Sequence, residues 1–143
     1  MSTTNNRTRY QRLIEAAQAG RGLWIAQAPD RALILPNEGG ELQILVWPSE
    51  EAAREVLAAR PDLSDFSPVH RTLEHWLEQS TPNLTEDGIL VAAHPDQQLQ
   101  CLRVPAADFA RDLQAPAFVL QGTDLARRRR ALETKRRREG GVA

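Results

Sequence analysis

Short apolar runs, separated by turn-forming residues, constrain the fold of this chain most. Three of them follow one another, at residues 23–26, 32–35 and 43–47. The segments between them, residues 28–31 and 36–40, contain the proline, aspartate, asparagine and glycine that hairpin turns use. We therefore expect a three-stranded antiparallel meander. Since the runs are continuously apolar and not alternating, both faces of these strands are expected to be covered.

Two helices are predicted around this meander. Residues 7–19 carry one apolar stripe at helical spacing, and Gly20 follows where a C-terminal cap belongs. A second helix begins after Ser49, a favourable N-cap, and ends at Arg60 because the residue before a proline disfavours helical backbone. The two apolar faces are Tyr10, Leu13, Ile14 and Ala17 in the first helix, and Ala52, Ala53, Val56 and Ala59 in the second.

The second half of the chain also mixes helices and strands. A third helix is predicted from Pro68, with Ser67 as its cap, until residues 82–83 and 86–88 break it. Its apolar stripe consists of Val69, Leu73, Trp76 and Leu77. Strands at residues 89–93 and 99–104 are expected next, followed by a short helix at residues 106–113.

These elements predict an α+β domain over residues 1–120. It contains a mostly antiparallel sheet of about five strands, packed by three to four helices. A chain of this length buries roughly 68% of its unfolded surface, so that neither disulfides nor a metal are needed to hold a core. The composition changes abruptly after this body, and residues 121–143 are expected to form a separate arginine-rich tail, helical or disordered.

The apolar runs and the single cysteine exclude several classes of protein. The longest apolar runs, such as residues 89–93, are far shorter than the roughly 20 residues that cross a bilayer, so we expect no membrane partner. Residues 1–12 are polar and carry three arginines, unlike a secretory signal. With Cys101 alone no disulfide within the chain is possible, and a cytoplasmic location is expected.

The net charge of −1 conceals an asymmetry along the chain. Residues 50–112 carry five arginines and twelve acidic residues, whereas residues 113–143 carry eight basic and three acidic residues. Surfaces of a single sign steer association even when the total charge is close to zero. The two charged segments are therefore the strongest indications of function.

The acidic segment is predicted to be either a solvated face or a docking surface for a basic protein partner. Its carboxylates come from two predicted helices and the loop beyond one of them: Glu50, Glu51, Glu55, Glu74, Glu78, Glu86 and Asp87. If they meet on one side, they speed the capture of a basic protein. Trp47 is the candidate aromatic residue of this interface, because it stands at a strand end before Pro48. The alternative places all three tryptophans in the core.

The basic tail has three interpretations: a solubilising disordered end, a clamp on the acidic body, or an arm that contacts phosphates. Its candidate nucleic-acid-binding residues are Arg127, Arg128, Arg129, Arg130, Lys135, Arg136, Arg137 and Arg138. Basic side chains bind phosphates without reading the sequence of the nucleic acid. No aromatic residue is interleaved among them, so base stacking is not expected.

Candidate catalytic and metal-binding residues do not converge in the sequence. His70 and His75 lie about 140° apart around a helix, so they cannot share a ligand. His94 follows a strand and is expected to cap a turn, and Cys101 is expected to be a small buried residue. No spacing of histidine and cysteine is typical of zinc sites. We therefore expect no catalytic residue, no metal and no cofactor, and hence no enzyme.

Four motifs add a family resemblance. They are Leu-Trp at residues 23–24, Val-Trp-Pro-Ser-Glu-Glu-Ala at 46–52, Leu-Glu-His-Trp-Leu at 73–77, and Pro-Asn-Leu-Thr-Glu-Asp-Gly-Ile-Leu-Val at 82–91. Their order and spacing, over residues 10–114, resemble a bacterial family known as the domain of unknown function numbered twenty-seven fifty. The resemblance implies a small cytoplasmic α+β domain with no established activity. The strand before residues 47–51 is also loosely similar to the N-terminal domain of the enhanced serine sensitivity protein B family.

The third predicted helix departs from the pattern of the family that these motifs resemble. Where that family usually has Phe and, four residues later, Trp, this chain has Trp76 and Ser80. The lost volume must be refilled by a neighbour such as the larger Trp76, or the helix must end early.

Together, these observations predict a non-enzymatic protein–protein interaction module of a bacterial cytoplasm. Inhibitor, immunity and adaptor roles all fit, and the acidic helical face is the expected binding surface. The alternative is a nucleic-acid-associated accessory protein that binds phosphates through its basic tail.

Overall fold

Helices and strands are interspersed along the chain in the computed structural model, which describes residues 3–116. The helices are α1 (Thr3–Gly20), α2 (Glu50–Ala58), α3 (Leu73–His75), α4 (Thr81–Asp87) and α5 (Ala106–Gln114), with a 3-10 turn at Pro61–Leu63 and a π-helical turn at Trp76–Ser80. The strands are β1 (Gly22–Ala28), β2 (Arg31–Ala32), β3 (Ile34–Pro36), β4 (Leu42–Trp47), β5 (Ser67–Thr72), β6 (Leu90–Ala93) and β7 (Leu102–Pro105).

The described strands form one mixed sheet of seven strands. β1 pairs with β5 along one edge and with β2 and β4 along the other, all antiparallel. β4 pairs in parallel with β6, which in turn pairs with β7 in the antiparallel sense. The predicted α+β class with a mostly antiparallel sheet is thereby confirmed.

The predicted meander is wrong in its middle strand. The chain bends at the buried Leu33, so the run at residues 32–35 becomes two short strands that pair with different neighbours, β2 with β1 and β3 with β4. β1 and β4 then pair directly, through Trp24 with Trp47 and Ile25 with Val46. Leu33 N still donates to Ala26 O of β1 at 2.9 Å, so the change of pairing partner falls between Leu33 and Ile34.

The first two helices form where the sequence predicts them. In α2 the Ser49 hydroxyl accepts a hydrogen bond from Ala52 N at 3.1 Å, as a serine N-cap does. The buried residues of this helix include Leu57, whereas the predicted Ala59 is exposed. At the end of α1, Gly20 is still helical, and the left-handed residue is Arg21, with φ 57°.

The predicted third helix is wrong over its first turns. Residues Ser67–Thr72 form β5, and the helix begins only at Leu73, where the Thr72 hydroxyl accepts a hydrogen bond from His75 N at 3.0 Å. Cross-strand pairing with β1 over six residues outweighs the helical spacing of the apolar side chains. Proline is compatible with an edge strand when its nitrogen, which carries no hydrogen to donate, faces away from the neighbouring strand.

The helix continues beyond Pro82, which was predicted to break it. Pro82 is the second residue of α4, which directly follows the π-helical turn, where Thr81 N donates to Trp76 O and the regular α-helical hydrogen-bond ladder is interrupted. Gly88, with φ 69°, ends the helix as predicted. Between α3 and α4 the chain forms the π-helical turn, and Trp76 at its start is buried. Ser80, at the departure from the family pattern, is the last residue of this π-helical turn, and the helix does not end there.

The sheet is covered on both faces, as the continuous apolar runs predicted. On one face, Ala53, Val56 and Leu57 of α2 belong to a cluster with Leu45 and Trp47. Side chains of a strand alternate between faces, so the intervening buried residues of β4 point to the other face. A second group of aromatic rings joins α5, α1 and the π-helical turn. The ring centroid of Phe109 in α5 lies 6.2 Å from that of Tyr10 in α1 and 5.9 Å from that of Trp76.

The described residues up to Leu113 form one compact unit. The predicted end of the domain at residue 120, and the predicted tail beyond it, lie outside the described residues. In the part of the chain from residue 3 to 116, no helix is long and apolar enough to cross a membrane.

Candidate functional site

Only one of the three tryptophans is available to a partner. Trp47 is fully buried, and its indole N–H donates to Pro95 O at 3.2 Å. Trp76 is 1% exposed. The candidate interface role of Trp47 is therefore corrected, because an aromatic ring at a strand end is covered here by the following helix. Trp24, which pairs with Trp47 across the sheet, is half-buried and borders the cluster under α2.

Trp24 forms a surface contact with His70 of the neighbouring strand. The two rings lie 5.2 Å apart between centroids, with their planes at 66°. His70 is exposed, and its ring also lies over Gly22. A methyl group at position 22 would come within 2.4 Å of His70 Nε2 and 2.6 Å of Arg71 O, so glycine is required for this close approach. The local arrangement thus places a half-buried indole beside an exposed imidazole.

Some of the predicted acidic residues lie at the same end of the sheet as Trp24. β1 begins where β4 and β5 end, since Trp24 pairs with Trp47 and Gly22 pairs with Thr72. α2 starts at this end with Glu50 and Glu51 in its first turn, and Glu74 follows β5 by two residues. We call Trp24, His70, Glu50, Glu51 and Glu74 the Trp24 surface.

The other predicted acidic residues do not join this surface. Glu86 and Asp87 precede β6, which begins at Leu90 beside Gln43, near the start of β4. They therefore lie at the opposite end of the sheet, and the predicted single face of seven carboxylates is not formed. Glu55 lies further along α2, and Glu78 lies in the π-helical turn. The reason is the parallel crossover from β4 to β6, which carries the chain from one end of the sheet to the other.

Ion pairs moderate the charge of the Trp24 surface. The Glu50 carboxylate pairs with Arg54 one turn along α2, and Glu74 lies 3.9 Å from Arg21. Both pairs are largely exposed, so each contributes little to stability. Glu51 is exposed and forms no ion pair within residues 3–116. All three carboxylates belong to side chains that solvent and a partner can reach.

His94, which was expected to cap a turn, is buried and forms hydrogen bonds with two other parts of the chain. It is 8% exposed and adopts a left-handed backbone with φ 58° directly after β6. Its N–H donates to Val46 O at 2.7 Å, its Nδ1 lies 3.3 Å from Arg9 O, and Arg9 Nε donates to His94 O at 3.0 Å. Burial, with the Arg9 guanidinium nearby, lowers the pKa of His94 to about 4. The imidazole is therefore neutral at pH 7.

Cys101 is buried, as predicted. Burial raises the pKa of its thiol to about 11, so the reactive thiolate is not formed near neutral pH. Within residues 3–116 no group of three or more His, Cys, Asp or Glu side chains is placed to hold a metal ion. The predicted nucleic-acid-binding residues, Arg127 to Arg130 and Lys135 to Arg138, lie outside the described residues.

Two open clefts that the sequence did not indicate flank the start of β5, one on each face. The first cleft, of about 480 Å³, lies against α2. Most of its lining is apolar and includes Leu57, Leu63, Phe66 and Pro68, and Arg54 also lines it. The second, of about 460 Å³, includes Gln27, Asp65 and Arg71, and Arg71 Nη2 donates to Gln27 Oε1 at 2.5 Å. Neither is lined by His94 or Cys101.

The fold and the surface together define a small α+β protein with helices on both faces of a mixed sheet and a half-buried tryptophan at the end of the sheet where Glu50, Glu51 and Glu74 lie. The chain belongs to the family described as Protein of unknown function (DUF2750), whose family model matches residues 10–113. The resemblance carried by the four motifs is thereby confirmed. No curated protein and no solved structure matches the chain.

Proposed function

We propose that this chain is a non-enzymatic protein-binding module of a bacterial cytoplasm, of the inhibitor, immunity or adaptor type. Its partner is a basic protein, and the Trp24 surface is the binding site. One observation carries this proposal: Trp24 is half-buried beside exposed His70, at the end of the sheet where Glu50, Glu51 and Glu74 lie.

The chemistry of the surface supports protein binding. Tryptophan is among the residues that most often dominate binding energy, because its large ring buries much area in a well-packed pocket. Carboxylates around such a ring add modest affinity, but they accelerate the encounter with a basic partner. The Trp24 surface combines both features on rigid elements, two strands and two helix starts.

The protonation states of the buried titratable groups support a non-catalytic role. His94 and Cys101 are both held in their neutral forms at pH 7, away from the open clefts. Tyr10 donates to Asp112 at 2.5 Å, and burial, with this hydrogen bond, raises its pKa. Catalytic groups need access to a substrate and a pKa near the working pH. These three residues stabilise the fold instead.

Charge reversal tests the proposed surface. Immobilised protein is expected to retain a basic protein from a nuclease-treated bacterial lysate, and the double variant Glu51→Arg/Glu74→Arg is expected to lose it. The physical reason is that two attractive charges become repulsive at the proposed site. Retention is measured by quantifying the captured protein by mass spectrometry.

The matched control is Glu86→Arg/Asp87→Arg, which reverses two exposed carboxylates at the opposite end of the sheet. This variant is expected to bind as the unaltered protein does. Equal retention by both variants, or equal loss, would show that the Trp24 surface is not the binding site.

The alternative function is a nucleic-acid-associated accessory protein, and the tail favours it with eight basic residues between positions 127 and 138. In that case nuclease treatment abolishes retention, because the nucleic acid is cut into short fragments that present few phosphates to each tail. Deleting residues 121–143 then has the same effect, whereas Glu51→Arg/Glu74→Arg leaves retention unchanged. The same capture experiment therefore separates the two functions.

A further inference from the structure

The outer edge of β5 is unpaired in the described part of the chain, where β5 pairs with β1 alone. Leu73 N donates to Arg21 O at 2.9 Å, so these two residues form a directly hydrogen-bonded pair at the end of the ladder. Hydrogen-bonded and non-bonded pairs alternate along an antiparallel ladder. Counting back from this pair, Pro68, His70 and Thr72 direct their main-chain groups away from β1.

A second hydrogen bond supports this assignment. Ala26, which lies opposite Pro68, accepts a bond from Leu33 N at 2.9 Å on the other side of β1. Its carbonyl is therefore not directed at β5, as a non-bonded pair requires. The missing N–H of Pro68 also faces outward, which explains why a proline is tolerated there.

The outward groups of β5 are self-complementary. Pro68 offers a carbonyl, His70 offers both an N–H and a carbonyl, and Thr72 offers an N–H. Arg71 Nη1 reaches His70 O at 3.3 Å, but this exposed contact leaves the second lone pair of the carbonyl available. If a second copy of β5 lies antiparallel beside the first with the two His70 residues opposite each other, the Thr72 N–H of each copy faces the Pro68 carbonyl of the other.

We propose that two copies of this chain pair antiparallel through β5, about a two-fold axis at His70. Each His70 N–H donates to the His70 carbonyl of the other copy, and each Thr72 N–H donates to the Pro68 carbonyl of the other copy. These four hydrogen bonds join the two sheets into one.

The side chains fit this register. Val69 of one copy lies opposite Arg71 of the other, so no two arginines face each other directly. Beyond Thr72 each chain carries Glu74 towards the start of β5 in the other copy, where Arg54 lines the apolar cleft and Asp65 lines the second cleft. The directly paired residues, 68 to 72, include no carboxylate.

The same elements limit the assembly to two copies. Pro68 has no N–H to donate, so the pairing cannot extend past it, and at the other end the chain becomes helical at Leu73. Proline and charged residues on an edge strand oppose open-ended pairing. An interface of one patch with itself closes after two copies, so no filament follows.

Pairing would also place the two Trp24 surfaces side by side. Opposite residues of neighbouring strands point to the same face, so both His70 rings and the Trp24 rings beside them share one face of the joined sheet. This consequence alone rests on the proposed function. The pairing of β5 stands or falls independently of it.

Replacing His70 by proline tests the pairing directly. The substitution removes the outward N–H and leaves the hydrogen bonds between β5 and β1 in place. Two hydrogen bonds are lost per dimer, so the dissociation constant is expected to rise about 10- to 100-fold. The measurement is sedimentation equilibrium of the full chain over a range of concentrations.

The control is His70→Thr, which also removes the imidazole but keeps the N–H, and it is expected to pair nearly as the unaltered chain does. Amide hydrogen exchange of the unaltered chain gives a second readout that needs no variant: His70 and Thr72 are expected to exchange more slowly as the concentration rises. A monomer at every concentration up to about 1 mM, or a dimer in which these two amides stay unprotected, would overturn the proposal.

Discussion

Replacing Trp47 by alanine is expected to lower the free energy of unfolding by about 3–5 kcal/mol, the largest effect of any substitution considered. The side chain is fully buried, and it packs in the cluster that joins β4 to α2. Its removal leaves a cavity, and Pro95 O loses the indole donor at 3.2 Å. Urea denaturation followed by circular dichroism measures the change.

The control for this prediction is Trp24→Ala. Trp24 is only half-buried, so the same chemical change is expected to cost about 1–2 kcal/mol. A loss below about 1 kcal/mol at Trp47, or a larger loss at Trp24 than at Trp47, would contradict the division between a structural and an accessible tryptophan.

The second large effect is a loss of stability in acid caused by His94. Its pKa is about 4 in the folded protein, because of burial and of nearby Arg9, and about 6.5 in an unfolded chain. The folded state therefore binds fewer protons, so its stability is fully present above pH 6.5 and falls as the pH decreases towards 4. Over this window the contribution of His94 amounts to about 3 kcal/mol.

The variant His94→Asn isolates this contribution. Asparagine does not titrate, and it tolerates the left-handed backbone at this position better than most residues. The unfolding free energy of the unaltered protein is expected to fall by about 3 kcal/mol more than that of the variant between pH 7 and pH 4. Parallel pH profiles for the two proteins would show that His94 is protonated without cost in the folded state.

Local signals predicted much of the fold. The serine cap of α2, the glycine that ends α4 and the apolar stripe of α1 each depend on residues within a few positions of one another. Such signals act through main-chain geometry and burial of one helix face, so they do not require knowledge of the rest of the chain. The strands β4 and β6 were likewise visible as apolar runs.

Long-range competition explains where these predictions were wrong. The side chains of Val69 and Leu73 have helical spacing, but residues 67–72 gain six strand pairs with β1, a partner at least forty positions away. The break at Leu33 has the same origin, because two different strands compete for the residues on either side of it. Neither of these long-range effects can be read from the spacing of apolar residues within a short segment.

The candidate site was predicted in part. The sequence singled out an acidic segment and a tryptophan, but it did not indicate the direction of the chain between β4 and β6. The parallel pairing separates Glu86 and Asp87 from Glu50 and Glu51, and the helix after Trp47 buries that ring. Trp24 was missed because it lies in a continuous apolar run, and only its position next to an edge strand leaves it half-exposed.

The most direct measurement of the proposed function is the salt dependence of association. The association rate constant for the captured partner is expected to fall at least about tenfold as the ionic strength rises from about 0.02 to 0.5 M, because screening removes the attraction of Glu51 and Glu74. The variant Glu51→Arg/Glu74→Arg is expected to associate slowly at every salt concentration. A rate constant of the unaltered protein that does not change with salt would contradict recognition through an acidic surface.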